Sequence, residues 1–236
     1  MDSVTGALAG KIVSVTGDVS AESAEGSRIL SIDSPIYQND TLITDQGEQV
    51  EVLFGDGTKL SVGENSNISV DSYVYDPSAP EASTLLLEAV QGTFRTITGQ
   101  ITEQNPENFT IKSPLATLGI RGTTVLSHIT PEHEIHGPEF IEEGKSFVLT
   151  DNFGNIRFIT DYVPVKVIDV RPDEPAGFQR ILTQDEFLHA AIDQVGNKPG
   201  RHRRYNPTHD DGADLDPLDG VYTDTNSRKT YNRTNN

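Results

Sequence analysis

Short runs of alternating apolar and polar residues fill most of the first 170 positions, and turn residues separate them. The clearest pair is 50–54 (Val-Glu-Val-Leu-Phe) and 58–62 (Thr-Lys-Leu-Ser-Val), joined by Gly55, Asp56 and Gly57. Asp-Gly supplies the positive φ angles that tight hairpin turns require, so this region predicts a β-hairpin.

Similar runs recur every 8 to 12 residues or so, a spacing typical of all-β domains. Two segments interrupt them, 99–108 and 132–144, which are polar or acidic and rich in turn residues, and both are predicted to be loops. The fold class is therefore all-β: a sandwich, barrel or β-roll of many short strands, with one C-terminal helix and a polar tail. The further predicted strands are 12–19 (two short strands), 28–36, 41–44, 68–75, 85–90, 93–97, 109–112, 125–129, 146–150, 156–160 and 163–170.

One amphipathic helix is expected near the C-terminus. Thr183 is a suitable N-cap, and acidic residues occupy the first turn. Gly196 ends the helix. Between them, apolar residues occur at helical spacing, namely Leu188, Ala191, Ile192 and Val195.

These patterns divide the chain into four parts: an N-terminal arm at 1–9, a β domain at 10–172, a linker with the helix at 173–196, and an extended or disordered tail at 197–236. The tail has few apolar residues and a net charge of +1, which leaves −19 for the rest of the chain.

The total formal charge of −18 repels phosphate groups, so nucleic acid and anionic membranes are not expected partners. The chain has no cysteine, which excludes disulfides and thiolate chemistry. No apolar run approaches the length of a membrane helix, so membrane insertion is not expected. Residues 1–10 do not have the pattern of a signal peptide; the protein is either cytoplasmic, has lost a leader, or uses an export signal elsewhere.

No strong metal or cofactor motif is present. His133, Glu134 and His136 have ligand-type side chains, but they fall in the predicted loop, and we interpret them as part of a solvated acidic segment. Five aspartates are close together in the tail, namely Asp210, Asp211, Asp214, Asp216 and Asp219. They do not fit the register of a calcium loop, so we consider only loose calcium binding by the acidic surface or the tail. The tail also has a short basic patch, formed by Lys198, Arg201, Arg203 and Arg204. We interpret it either as a site that docks onto an acidic surface or as a solvated run of charges.

Catalytic motifs are also absent. Neither a Gly-x-Ser-x-Gly nucleophile elbow nor a phosphate-binding Gly-x-x-x-x-Gly-Lys loop occurs, and carboxylates are too abundant for any one pair to be informative. We therefore predict that the protein is not an enzyme and has no catalytic, cofactor or metal residues.

The stretch 111–124 (Ile-Lys-Ser-Pro-Leu-Ala-Thr-Leu-Gly-Ile-Arg-Gly-Thr-Thr) lies at the middle of the β domain. Gly119 and Gly122 are interpreted as backbone devices, which permit a positive φ or a close strand approach. Arg121 is expected to bridge carboxylates of neighbouring turns, and if it is buried its removal should lower thermal stability strongly.

Several segments between residues 10 and 170 together resemble the FecR-type domain family. They include the hairpin with Gly55, Asp56 and Gly57, and the run 113–123, whose Gly119-Ile-Arg121-Gly122-Thr123 is similar to a family signature. The resemblance implies an all-β domain that is periplasmic or exported and has no catalytic residues. The segment and transmembrane helix of the family's sigma regulators are not seen, so the chain is more similar to stand-alone or adhesin-associated members.

Two functions follow as hypotheses. The first is an exported, non-enzymatic module for binding, sensing or scaffolding in the periplasm or at the cell surface. The second is a structural subunit of an extracellular filament or matrix assembly, joined through its terminal arms, with further copies of itself as partners.

Overall fold

The computed structural model describes residues 6–160 and 166–180, together with two short strands near the C-terminus. The first strands are β1 (Leu8–Thr16), β2 (Ser20–Ser23), β3 (Gly26–Ile29), β4 (Pro35–Tyr37), β5 (Thr41–Thr44), β6 (Gln49–Phe54), β7 (Lys59–Val62), β8 (Ser66–Val74) and β9 (Thr84–Ile97). The later elements are helix α1 (Gln100–Gln104), β10 (Phe109–Lys112), β11 (Ala116–Ile129), β12 (Glu134–Asp151), β13 (Ile156–Ile159), β14 (Lys166–Val170), β15 (Gly177–Arg180), β16 (Ala213–Leu215) and β17 (Tyr222–Asp224). Single 3₁₀ turns lie at Pro80–Ala82 and Pro106–Asn108.

The chain divides into two compact units, Met1–Asn197 and Lys198–Asn236. In the first, β1 to β15 are connected by hydrogen bonds into one mixed sheet. In the second, β16 and β17 pair with each other in antiparallel orientation.

Strand β9 holds the sheet together because its two halves have different neighbours. Its first half pairs with β8 and, in parallel, with β10. Its second half pairs with β7 and β11. Gly92 separates the halves with a φ of +124°, and an added Cβ there would lie 2.1 Å from the Ser66 Oγ. Only glycine fits this bend, which lets one strand serve two parts of the sheet.

Strand β11 changes neighbours in the same way. Residues 117–119 pair with β10, whereas 124–129 pair with the second half of β9. β12 accompanies β11 along its whole length as a long hairpin. Gly122 lies at the change of neighbours, with a φ of +67°.

The core is one cluster that receives side chains from nearly every strand of the first unit, including β1, β5 to β12 and β14. Its largest fully buried side chains are Phe54, Phe94, Phe109 and Phe147, one each from β6, β9, β10 and β12. Truncating such a residue to alanine typically costs about 3–5 kcal/mol. Each of these strands buries one face in the core, which is why apolar residues alternate with polar ones in its sequence.

The mostly β fold is confirmed. The predicted hairpin of β6 and β7 forms, with Val52 opposite Leu60, and β12 and β13 form the predicted hairpin around 152–155. Gly17 makes the predicted turn between β1 and β2, but these two strands pair with other strands and not with each other.

Two predicted loops are wrong. Part of 99–108 forms α1, and Ile101 of this helix is buried. The helix begins here because the Asp56 carbonyl oxygen accepts the first helical amide, Gln100 N, at 2.9 Å. Most of 132–144 belongs to β12, since Glu134 and His136 are buried and bonded to other side chains. Both errors arise from polar residues that are satisfied inside the protein.

Some strands extend beyond the β domain predicted at 10–172. β1 begins at Leu8, within the predicted arm; the Gln38 amide donates to the Ala7 carbonyl at 2.8 Å, and the Gly55 amide to the Ala9 carbonyl at 3.0 Å. β15 falls in the predicted linker. The predicted helix and most of the tail lie outside the described residues. Within the described part, no helix has the length and apolar character needed to cross a membrane.

Candidate functional site

The turn at Gly55, Asp56 and Gly57 is a rigid junction. Gly57 has a φ of +88°, and the fully buried Asp56 accepts hydrogen bonds from Thr58 N at 3.1 Å and Thr58 Oγ1 at 2.7 Å. The same carboxylate accepts the Ile101 amide at 3.4 Å. The turn therefore anchors α1 to the hairpin, a structural task that leaves no lone pair directed to solvent.

Tyr73 completes this junction from β8. Its hydroxyl accepts the Asp56 amide at 2.9 Å, and its ring lies 5.7 Å from that of Phe54. Burial raises the pKa of the Tyr73 phenol above its ordinary value, and the Asp56 carboxylate adds to that effect. Tyr73 therefore stays neutral at physiological pH.

The two glycines of the family-like signature have different tasks. Gly122 takes the left-handed φ that was expected, and an added Cβ would meet Lys145 Cδ at 2.8 Å. Gly119 has no positive φ, and its added Cβ would meet only the Cβ of Val148, at 3.9 Å. Of these two glycines, only Gly122 has a positive φ.

Arg121 forms the expected bridge, to Glu107 in the 3₁₀ turn before β10. The pair is exposed, however, with 35% of the Arg121 side chain and 71% of the Glu107 side chain accessible. Such surface pairs contribute about 0–1 kcal/mol, so the large loss of stability expected for a buried Arg121 does not apply. Thr123 is buried, and its hydroxyl donates to the Phe140 carbonyl oxygen.

The most elaborate polar cluster is centred on Glu134 at the start of β12. Its carboxylate accepts hydrogen bonds from Ser113 Oγ at 2.6 Å and from the Leu115 amide at 2.8 Å. His136 Nε2 lies 2.9 Å from the same carboxylate, and His136 Nδ1 lies 2.9 Å from Ser127 Oγ. Glu134 thus fixes the tight turn between β10 and β11.

Ser127, His136 and Glu134 are connected in the order of a serine–histidine–acid triad. Sequence reasoning missed this group, because a polar pair at i and i+2 normally marks the solvent side of a strand. All three side chains are at most 3% exposed, and Glu134 and His136 are completely buried. A nucleophile must reach its substrate, so this arrangement supports the fold and offers no acyl-transfer site.

The two other histidines of the described residues, His128 and His133, have partners on neighbouring strands. His133 Nε2 lies 2.7 Å from Asp169 Oδ2 on β14, and Arg171 Nε donates to Asp169 Oδ1 at 3.0 Å. His128 Nδ1 lies 3.0 Å from the Thr93 hydroxyl. Burial lowers the pKa of His128, and the charges of His133 and His136 lower it further.

His133, Glu134 and His136 therefore do not converge on one point. The described residues contain no group of three or more side chains placed to hold a metal ion. The tail aspartates and the basic patch, proposed for calcium and for docking, have no described side chains. An open depression of about 280 Å³ beside His128 is lined by residues that include Glu64, Gln91 and Pro131.

A different kind of surface lies on the outer face of β10 to β13. Phe158 is opposite Val148, and Val148 is opposite Gly119, so these three residues share one face of the sheet. Phe158 and Ile156 are 52% and 51% exposed, and Phe153 in the adjoining turn is 54% exposed. We call these three residues the β13 apolar patch.

The strand segments that surround this patch contain no carboxylate. None of the residues 109–112, 116–121, 146–150 and 156–159 is Asp or Glu, in a chain that has 36 acidic residues. The two outward cations are both paired at the borders of the face, Arg121 with Glu107 and Lys112 with Glu88. The face around the patch is therefore apolar and nearly neutral, on a chain that is strongly acidic.

The model of the FecR protein family matches residues 40–135, a range that includes the hairpin turn, the 119–123 signature and Glu134. A search of curated proteins found no match. Among solved structures, a cell surface anchoring domain is 31% identical, covers 27% of this chain and 86% of its own, and has a TM-score of 0.26.

Two crystal structures of a protein from Parabacteroides distasonis, provisionally assigned as an anti-sigma factor, are also similar. Each is 12% identical and covers 59% of this chain, with TM-scores of 0.43 and 0.44. The match spans 58% of that protein's length.

Proposed function

Because this chain carries a domain of the FecR family, we propose that it is an exported, non-enzymatic β module that acts by binding another protein in the periplasm or at the cell surface. The observation that carries this proposal is the β13 apolar patch on a carboxylate-free face. Export is supported by the family resemblance and is compatible with an acidic chain that has no cysteine.

The position of the patch favours a protein over a small ligand as the partner. β13 pairs with β12 only, among the strands that the structure describes. An edge strand presents unpaired amides and carbonyls to which an extended segment can add. The flat face beside it provides apolar contact, whereas a small molecule would need an enclosing cleft.

Site-specific photocrosslinking in the producing bacterium tests this function. Benzoylphenylalanine replaces Phe158, and in a control it replaces Ile29, which is 64% exposed on β3. We expect a protein adduct from position 158 and none from position 29. The absence of an adduct at 158, or equal adducts at both positions, would contradict binding through the patch.

Fractionation of the same cells tests export. We expect the protein in the periplasmic or surface fraction, and recovery in the cytoplasm alone would contradict that part of the proposal.

The non-enzymatic part has its own test. A fluorophosphonate probe reacts with activated, accessible serines, so we expect no labelling of Ser127 in the folded protein because its side chain is only 3% exposed. Labelling that requires both Ser127 and His136 would contradict this part of the proposal and favour a hydrolase.

A further inference from the structure

We propose that the partner of the β13 apolar patch is a second copy of this chain, bound edge to edge through antiparallel β13 strands. This inference rests on the function proposed above and specifies its partner. It follows from the hydrogen-bonding direction of β13, the symmetry of its apolar residues, and the distribution of charge.

The backbone of β13 is oriented for such pairing. In the β12–β13 hairpin the Asp151 amide donates to the Asn155 carbonyl at 3.0 Å, which makes residues 151 and 155 a hydrogen-bonded pair. Such pairs alternate with non-bonded ones along an antiparallel ladder, so 150 and 156, and likewise 148 and 158, are non-bonded pairs. The amides and carbonyls of Ile156 and Phe158 therefore point away from β12, to an edge with which no other described strand pairs. Of these groups, the Ile156 carbonyl also accepts a bond from Arg157 Nη1 at 3.3 Å, on the exposed side of the strand.

The same two residues supply the apolar contact. Their side chains lie on the outer face, whereas Ile159 and Phe147 point into the core. In an antiparallel pair related by a twofold axis at Arg157, Ile156 of each copy lies opposite Phe158 of the other. The patch is thus complementary to itself, as an isologous interface requires.

The charge distribution favours a second copy at this place. Two chains with a formal charge of −18 repel each other over most orientations. On the outer face of β10 to β13 this repulsion is weaker, because the strand segments 109–112, 116–121, 146–150 and 156–159 carry no carboxylate and the outward cations Lys112 and Arg121 are already paired. Edge-to-edge pairing at β13 brings these nearly neutral faces side by side.

The interface is small. Four residues of strand and three apolar side chains from each copy bury less than the roughly 800 Å² per partner of a standard interface. We therefore expect a reversible dimer with a Kd of roughly 10–1000 μM, which is reached where the protein is locally concentrated.

Sedimentation of the full-length protein over about 10 μM to 1 mM tests the proposal. The average mass of the natural chain should rise from 25.8 kDa toward twice that value with concentration. Phe158→Asp and Ile156→Asp should each remain monomeric. Ile29→Asp removes an apolar residue of β3 that is even more exposed, at 64%, and this variant should dimerise like the natural chain.

A second measurement covers the case in which an aspartate variant fails to fold. In the natural chain, amide hydrogen exchange of Ile156 and Phe158 should slow as concentration rises, while exchange of Ile29 stays constant. A monomer at every concentration, or a dimer whose formation leaves these two amides unprotected, would overturn the proposal.

The outcomes separate this inference from the proposed function. A crosslinked adduct of twice the chain's mass supports both. An adduct with a different protein, together with a strict monomer in solution, overturns the dimer and leaves the binding function intact. No adduct and no dimer overturn both.

Discussion

Gly122 lies at the point where strand β11 changes its pairing partner, and its backbone conformation is one that favours glycine. Its φ of +67° lies in the left-handed region, and it stands where β11 leaves β10 and joins β9. Gly119, three residues earlier on the same strand, has ordinary backbone geometry and open space beside it. Substitutions at the two glycines can therefore be compared directly, with Gly119 as the control for Gly122.

We predict opposite effects for alanine at these positions. Gly122→Ala should lower the free energy of unfolding by about 1–2 kcal/mol, since a Cβ in the left-handed region is strained. Gly119→Ala should leave stability unchanged or raise it by up to about 1 kcal/mol, because glycine is entropically unfavourable within a strand. Urea denaturation measures both, and an equal loss in the two variants would contradict the assignment.

Asp151 fixes the turn between β12 and β13 through several bonds. Its Oδ1 accepts the Phe153 and Asn155 amides at 2.9 and 2.8 Å, and its Oδ2 accepts the Ala176 amide at 2.7 Å. Burial by itself acts to raise the pKa of Asp151, but the hydrogen bonds from Ala176, Asn155 and Phe153 outweigh it and lower the pKa below the ordinary 3.8.

This lowered pKa predicts a pH-dependent stability. A carboxyl with a lower pKa in the folded state stabilises fully above its unfolded pKa and loses that contribution as pH falls through the folded value. Asp151→Ala should cost roughly 2–3 kcal/mol at pH 7, and the difference from the natural chain should shrink below about pH 4. The exposed Asp173→Ala is the control, and a difference that persists at low pH would refute the role of the charge.

At the scale of elements, Glu134 connects the start of β12 to the turn between β10 and β11. Its buried carboxylate is bonded to a hydroxyl, an amide and the imidazole of His136. Removing one member of a buried, bonded charge network leaves the others without partners in a low dielectric.

Glu134→Ala should therefore lower the free energy of unfolding by about 3–5 kcal/mol. Glu132→Ala, two residues earlier and exposed, should stay within about 0.5 kcal/mol of the natural chain. Chemical denaturation monitored by circular dichroism gives both values. Equal stability of the two variants would show that the buried network contributes little.

At the scale of the whole molecule, the β13 dimer must form against the mutual repulsion of two acidic chains. The Debye length falls from roughly 20 Å at 20 mM salt to about 6 Å at 300 mM, so repulsion between distant carboxylates is screened. The contact itself is apolar and hydrogen-bonded apart from the Arg157 side chains of the two copies, which lie opposite each other at the axis, and salt screens their repulsion as well.

Raising NaCl from about 20 to 300 mM should therefore tighten the proposed dimer several-fold. Sedimentation at the two salt concentrations measures the change in Kd, and Phe158→Asp should remain monomeric at both. Weakening by salt would show that ion pairs across the interface hold the copies together, contrary to the contact proposed here.

The sequence by itself determined the β class, the family and the local turns. Alternation revealed strands with one buried face, such as β6 and β7, because apolar burial has a period of two residues. Asp56 with Gly57, and Gly122, marked bends because their backbone requirements are local. These features depend on neighbours along the chain, and the structure agrees with them.

Only the tertiary structure decided which polar residues are inside. Glu134, His136 and Asp56 look like surface residues in the sequence, but partners distant in the chain satisfy them, and α1 depends on such a partner as well. The β13 apolar patch could not be predicted either: the sequence predicts strand β13, but not that one edge of it pairs with no other described strand and that Ile156 and Phe158 are exposed among the described residues. Burial and strand order depend on contacts between segments that are distant in the chain. The alternation of residues within one segment does not contain that information.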